Sequence, residues 1–385
     1  MRANPQSHLS SEHSMKIHLV AGARPNYVKI AALVKALAHH KRRHSKSRLL
    51  YRLINTGQHY DYLMSKKFFQ DLNIPAPYVD LNVGSSSHAD QTAKIMTRYE
   101  KVVLRDRPDL LIVVGDVNST LACSLVAAKM RIPVAHVEAG LRSFDLNMPE
   151  EINRMVTDRI SDYLFTTSRD ADRNLKREGV PAGRIFFTGN VMVDTLLASL
   201  PQTRQSKVLK QHQIRKPYAV LTLHRPSNVD RDKDFQEILK ALAWIQSKLP
   251  IIFPVHPRTA ARLRKSRLAA GFLSHKNIKM IPPLGYLDFI ALMRQARLVL
   301  TDSGGIQEET TVLNIPCLTI RNNTERPVTI SHGTNRLAGQ KSSKIIALAR
   351  KLLAGNPKGK KRVPPLWDGH AAERIIKVLA RIFAF

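Results

Sequence analysis

Short runs of β-branched and other apolar residues alternate with helical stretches almost from one end of the chain to the other. "KIHLVAG" (16–22) leads into a helix through residue 39, and "LLYRLINTG" (49–57) leads into "YDYLMSKKFFQDL" (60–72). "DLLIVVGD" (109–116) is followed by the helix "STLACSLVAAKM" (119–130) and then by "IPVAHVEAG" (132–140). "EEINRMVTDRI" (150–160), "YLFTTS" (163–168) and "RIFFTGN" (184–190) close a first series. This alternation predicts parallel sheets wrapped by helices.

A second series holds "YAVLTLHR" (218–225), "IIFPVHP" (251–257), "NIKMIPPL" (277–284), "RLVLTDSGG" (297–305) and "IPCLTI" (315–320). Between the two lies "SLPQTRQSKVLKQHQIRKP" (199–217), polar and bracketed by prolines, which reads as a linker. One plan recurs in both halves: strand, small and acidic turn, helix, Ile-Pro, strand, at "LLIVVGD" to "RIPVAHVEA" and at "LVLTDSG" to "NIPCLTI". The fold class expected is α/β, with two Rossmann-like doubly wound domains at 15–195 and 196–368 and a working cleft between them.

Ligands of doubly wound folds lie at the carboxyl ends of the strands. Those ends carry Arg24, Gln58, His59, Asp116, Glu138, His224, His256, Asp302 and Ser303. In "TDSGGIQEET" (301–310), Ser303, Gly304 and Gly305 form a strand-to-helix turn where bare backbone N–H groups and the helix start suit a diphosphate. One turn on, Glu309 or its neighbour Glu308 can accept both hydroxyls of a ribose. The plainer reading is an ordinary turn with acids placed for the helix dipole. Arg24 in "GARPNYVK" and Arg326 in "TERPVTI" each set a guanidinium fork before a helix-starting proline, and Lys29 falls about one turn beyond Arg24.

Asp116, Glu138 and Glu150 end or follow consecutive buried-looking segments, so three carboxylates are expected at one cleft. There, burial and repulsion can raise one pKa and leave another group ionised. Glu150 and Glu151 equally fit a capping role at a helix start, with Glu150 paired to Arg154 at i+4. His224 and His256 bring titrating rings to strand ends.

Composition narrows the function classes. A chain of 385 residues exceeds what one core serves, and no apolar run is long enough to span a bilayer. Cys123 and Cys317 have no metal-ligand spacing, which speaks against a disulfide scaffold or a zinc site and for a reducing cytosol. The polar segment before Met15 has no apolar stretch of the secretory kind, so residues 1–14 are expected to form a loose tail. Lys and Arg number 61 against 30 acids, a formal charge of +31. The basic residues are dispersed, with small clusters at 39–48 and 356–362, and read as a solvated surface. No zinc finger, basic zipper or aromatic signature accompanies them, so no nucleic acid is expected.

Taken in order, "GARPNYVKIAAL", "NTGQHYD", "VVGDVNSTLA", "HVEAGLRS", "MPEEINR", "GNVMVDTL", "LTLHRPSNVD", "PVHPR", "DSGGIQEE" and "TERPVT" resemble the non-hydrolysing UDP-N-acetylglucosamine 2-epimerases over residues 15 to about 380. The resemblance implies the GT-B architecture, with a C-terminal helix (369–385) packed back on the first domain. It implies inversion of C2 of an N-acetylhexosamine carried by UDP, through elimination of UDP to a glycal and re-addition. Neither NAD nor a catalytic metal is implied, and the expected enzyme is a cytoplasmic homodimer serving surface polysaccharide synthesis.

By motif, Asp116, Glu138, Glu150 and His224 take the family's catalytic positions. Arg24, Lys29, Ser303, Gly304, Glu309 and Arg326 take substrate-binding positions, to which Gly305 and His256 are added as candidates. Gln58 and His59 match a part that in many members helps bind a second UDP-N-acetylglucosamine as activator. Asn26 and Ser227 stand where many members carry acids, which leaves activator binding and sugar preference open. Related epimerases act on other UDP-2-acetamido sugars, and some homologues hydrolyse the glycal. A GT-B glycosyltransferase is the main enzymatic rival, but the carboxylates of the first domain argue against it. A basic nucleic-acid-binding protein is suggested by the charge alone.

Overall fold

The computed structural model describes residues 14–44, 48–58, 62–265, 270–355 and 362–385. Residues 1–13 of the expected tail, and His59, lie outside them. The first sheet is built from Lys16–Ala21 (β1), Leu50–Asn55 (β2), Val79–Asp80 (β3), Leu110–Val114 (β4), Val134–Ala139 (β5), Tyr163–Thr166 (β6) and Ile185–Phe187 (β7). Ala219–Thr222 (β8), Ile251–Pro254 (β9), Ile278–Ile281 (β10), Leu298–Thr301 (β11), Cys317–Thr319 (β12) and Asn335–Leu337 (β13) form the second.

All neighbouring strands are parallel, in the orders β3-β2-β1-β4-β5-β6-β7 and β10-β9-β8-β11-β12-β13. Each sheet therefore reverses its strand order once, between β1 and β4 and between β8 and β11. Those crevices are where doubly wound sheets bind ligands. The centre of each sheet is apolar on both faces because helices cover both: Leu110 to Val114 are at most 1% exposed.

Segment 199–217 joins the sheets, but it is not a detached linker. Val208 and Ile214 are buried in the main apolar cluster, and Ser206 Oγ donates to Asp288 at 2.6 Å. The apolar residues inside this polar stretch anchor it.

The last helix, Ala371–Phe383, lies on the first half. Its first amides, of Ala371 and Ala372, donate to the Asp194 carboxylate at 3.1 and 2.7 Å. Trp367 Nε1 donates to the Thr167 carbonyl at 2.9 Å, and the Phe383 ring meets Tyr163 edge-on. One apolar cluster runs through both halves, from Ile17 and Leu19 through Met192 to Val299 and Cys317. Among the described residues, no helix is long and apolar enough to cross a membrane.

Candidate active site

At the β1 crevice the chain leaves the strand and starts the helix Arg24–Arg43, with Pro25 in its first turn. Asn26 is buried; its Oδ1 accepts from the Ala23 amide at 3.1 Å and its Nδ2 donates to the Val114 carbonyl at 2.9 Å. An acid here could accept from Ala23 but could not donate to Val114, so the amide ties the β1 turn to β4. Arg24 is half-buried at the helix start, and Lys29, 5% exposed, pairs with Glu138 Oε2.

Gly115 follows β4 with φ +68, and a Cβ added there would stand 2.7 Å from Lys29 Nζ. The bare glycine therefore leaves the lysine its route to Glu138. Glu138, near the end of β5, has φ +77, a left-handed backbone costing a side-chain-bearing residue on the order of 1–2 kcal/mol. His136 holds the two strand ends together from within: Nδ1 is 2.7 Å from Asp158 and Nε2 is 2.8 Å from the Gly115 carbonyl oxygen.

The helix Pro149–Ile160 corrects one expectation. Arg154 pairs with Glu151, at i−3, and with Asp116, not with Glu150. Glu151 is turned inward, where its carboxylate accepts from the amides of Ser143 and Phe144. Glu150, one residue around the helix, stays half-buried. Asn153 Nδ2 donates to the Asp116 carbonyl at 2.9 Å, fixing that loop.

In the second half, β8 runs into His224 and β11 into Asp302. Asp302 is fully buried and accepts from the amides of His224 and Arg225 at 3.0 and 2.9 Å and from Asn228 Nδ2 at 3.1 Å. Its other oxygen lies 2.8 Å from His224 Nδ1. Burial opposes ionisation of Asp302, but the histidine and the two amides outweigh it and hold the carboxyl well below the usual range. The exposed His256 ring stands 6.4 Å from that of His224, centroid to centroid.

Ser303 precedes the helix Gly304–Leu313. Neither of its glycines has a positive φ, so what each spares is space. A Cβ on Gly304 would come within 2.5 Å of Arg326 Nη1, and one on Gly305 within 3.0 Å of Met192 Cε.

The two halves meet through Arg326. Its Nη2 donates to Glu138, Nη1 pairs with Glu325, and Nε lies 2.8 Å from Glu308. Beside it, Arg321 pairs with Glu325 at 2.8 Å, and Asn323 Nδ2 donates to Asp145 of the first half at 3.1 Å.

Electrostatics divides these acids. Burial works against the Asp116 anion, yet the Arg154 guanidinium, with Lys29 and Arg326 behind it, keeps its pKa below the ordinary value. Burial pushes Glu308 up to about 7, with the Glu138 charge adding to the rise and Arg326 opposing it. Burial likewise pushes Glu309 up to about 8, beside the Tyr286 hydroxyl. The cleft carboxyls that burial raises, Glu308 and Glu309, thus lie in the second half.

Of the residues singled out in the sequence, Lys29, Asp116, Glu138, Gly304 and Arg326 fall in one connected cluster, and His224 and His256 form a second group. Gln58 sits at the rim of the first crevice, where its Oε1 accepts from Ser119 Oγ at 2.9 Å. Arg321 and Glu325 escaped the sequence reading, which named Glu308 only as a ribose acceptor and Arg154 only as a partner of Glu150. The Glu325–Arg326 step of "TERP" was the available signal, an acid joined directly to a cleft arginine.

Two doubly wound halves closing on one charged cleft define the GT-B architecture. A family model described as UDP-N-acetylglucosamine 2-epimerase matches residues 41–380. The UDP-N-acetylglucosamine 2-epimerase of Methanocaldococcus jannaschii is 42% identical over 371 residues, 95% of this chain and 99% of its own. The crystal structure of that enzyme in complex with UDP-GlcNAc and UDP superposes with a TM-score of 0.88, covering 95% of this chain and 100% of the other. The UDP-2,3-diacetamido-2,3-dideoxy-D-glucuronate 2-epimerase of Pseudomonas aeruginosa is 36% identical over 371 residues, 96% of this chain and 100% of its own. The Neisseria meningitidis UDP-GlcNAc 2-epimerase bound to UDP-GlcNAc, 29% identical, superposes with a TM-score of 0.86 over 95% and 100% of the two chains. The chain belongs to the UDP-N-acetylglucosamine 2-epimerase family.

Proposed function

We propose that this enzyme interconverts UDP-N-acetylglucosamine and UDP-N-acetylmannosamine. A base removes the C2 proton as the C1–O bond to UDP breaks, giving a 2-acetamidoglycal and free UDP. UDP then adds back to C1 while an acid delivers a proton to the opposite face of C2, so atoms and charge balance. Positioned proton transfer of this kind contributes roughly 10²–10⁴-fold.

In this reading Asp116, Glu138 and Glu150 flank the sugar as acid and base. Arg24, Lys29, His224, His256 and the Ser303–Gly304–Gly305 turn hold the diphosphate and the negative charge that builds on it. Glu309 receives the ribose hydroxyls, and Gln58 with His59 borders an activator site. The carrying observation is the Glu138–Arg326 contact, which sets a proton-transfer carboxylate of one half against the anion-suited turn of the other. A role in surface polysaccharide synthesis, a cytoplasmic location and a homodimer complete the proposal.

The diacetamido uronate epimerase is as similar in sequence as the N-acetylglucosamine enzymes of Escherichia coli, both at 36% identity, so a UDP-diacetamido sugar is the second substrate to try. The test is proton NMR of the purified protein with each UDP-sugar in D₂O. Deuterium at C2 of both epimers supports the reading. Free N-acetylmannosamine plus UDP marks a hydrolysing enzyme, and no exchange with either sugar sinks the proposal.

A further inference from the structure

One guanidinium in the cleft is shared by three carboxylates from three segments, and only one of those carboxylates belongs to the first half. Arg326, Glu138, Glu325 and Glu308 are all deeply buried, their side chains 7%, 3%, 2% and 1% exposed. Glu308 is the odd member. Apart from the ion pair with Arg326 Nε at 2.8 Å, its oxygens have no hydrogen bond among the described residues. Burying a carboxylate with so little compensation costs several kcal/mol, on the order of what a buried unpaired charge costs elsewhere. An apolar side chain would pack this helix without that cost, and the contact the carboxyl makes in its place is with the arginine.

A guanidinium is planar and rigid, so fixing Nε fixes the directions of both Nη groups. Here they point to Glu138 across the cleft and to Glu325, with Nη1 beside the space that Gly304 leaves open. Glu138 is held on both oxygens, by Lys29 and by Arg326, so both are engaged by cations. A diphosphate oxygen at the Gly304 turn competes for the same Nη edge. With Nε pinned, the guanidinium stays where both acceptors can reach it, and charge drawn toward phosphate is charge withdrawn from Glu138.

We infer that Glu308 is a positioning residue of the epimerisation: it anchors Arg326 so that one cation serves both the departing diphosphate and the base Glu138. This rests on the epimerase reading and on Glu138 as a proton-transfer group. The charged groups facing Glu308 are Arg326 and Lys29, with Glu138 and Glu309 as neighbouring acids.

The test is Glu308→Gln in the full chain, with UDP-N-acetylglucosamine as substrate. The inference expects kcat to fall by about tenfold or more while KM, and Kd for UDP by calorimetry, stay within about threefold. It also expects the acid limb of the kcat profile to move to lower pH, because removing a neighbouring negative charge lowers the proton affinity of Glu138. Unchanged kcat and an unmoved limb overturn it, as does a loss confined to KM and UDP affinity. A variant that no longer binds UDP overturns it too, by assigning Glu308 to the scaffold. If the wild type itself exchanges no proton at C2, the epimerase reading fails instead.

Discussion

The His224 ring is held by Asp302: Nδ1 stands 2.8 Å from a carboxylate oxygen that is completely buried, while the second oxygen gathers the amides that shape the β8 turn. Asp302→Asn turns an amide NH₂ or a weaker acceptor toward those donors and should destabilise the protein by about 3 kcal/mol. The folded pKa of Asp302 is depressed, so its contribution is fully present above the unfolded value of about 3.9 and is lost as pH falls through the folded value. Urea melts of both proteins should show a difference near pH 5 that shrinks in stronger acid.

Under the proposed mechanism, Asp116→Asn should lower turnover by about 10²-fold or more while leaving UDP affinity within about threefold, since it would remove a proton-transfer group and spare the Ser303–Gly305 turn. Turnover by NMR and UDP binding by calorimetry separate the two. Full residual activity would remove Asp116 from the mechanism.

Gly304→Ala places a methyl 2.5 Å from Arg326 Nη1 and 2.7 Å from Glu325 Oε1. The guanidinium is hemmed in by carboxylates, so the clash should cost about 1–3 kcal/mol of stability. UDP affinity should fall as well, because the methyl fills the turn. Wild-type UDP binding in this variant would place the diphosphate elsewhere.

Glu309 makes the opposite pH prediction to Asp302. Its folded pKa is raised to about 8, so the unfolded chain ionises it first, and stability declines as pH rises from about 4.3 toward 8, by at most about 1.4 kcal/mol per unit. Glu309→Gln removes that cost. Its melting temperature should match wild type near pH 5 and exceed it near pH 8, while a drop in UDP affinity is the outcome the proposed ribose contact of Glu309 requires.

Much of the site was legible because strand ends follow a grammar: Asp116, Glu138, His224 and Ser303 each terminate an apolar run, and parallel sheets put such termini at one edge. The phase of a helix was not. Whether Glu150 or Glu151 meets Arg154 turns on about 100° of rotation, which two adjacent acids after a proline do not settle. Nor does local pattern show that Arg326 and Glu138, separated by 188 positions, share a bond. β3 and β13, of two and three residues, are too short to show a period.

The clasp of the last helix onto Asp194 has a mechanical effect. The described chain starts and finishes in the same lobe, so the other lobe is attached by two crossings, one between Phe187 and Ala219 and one between Ala354 and Trp367. A body hung from two points swings about the line through them and resists turning about any other. A swing of this kind would carry the Gly304 turn along one arc away from Glu138 and back to it.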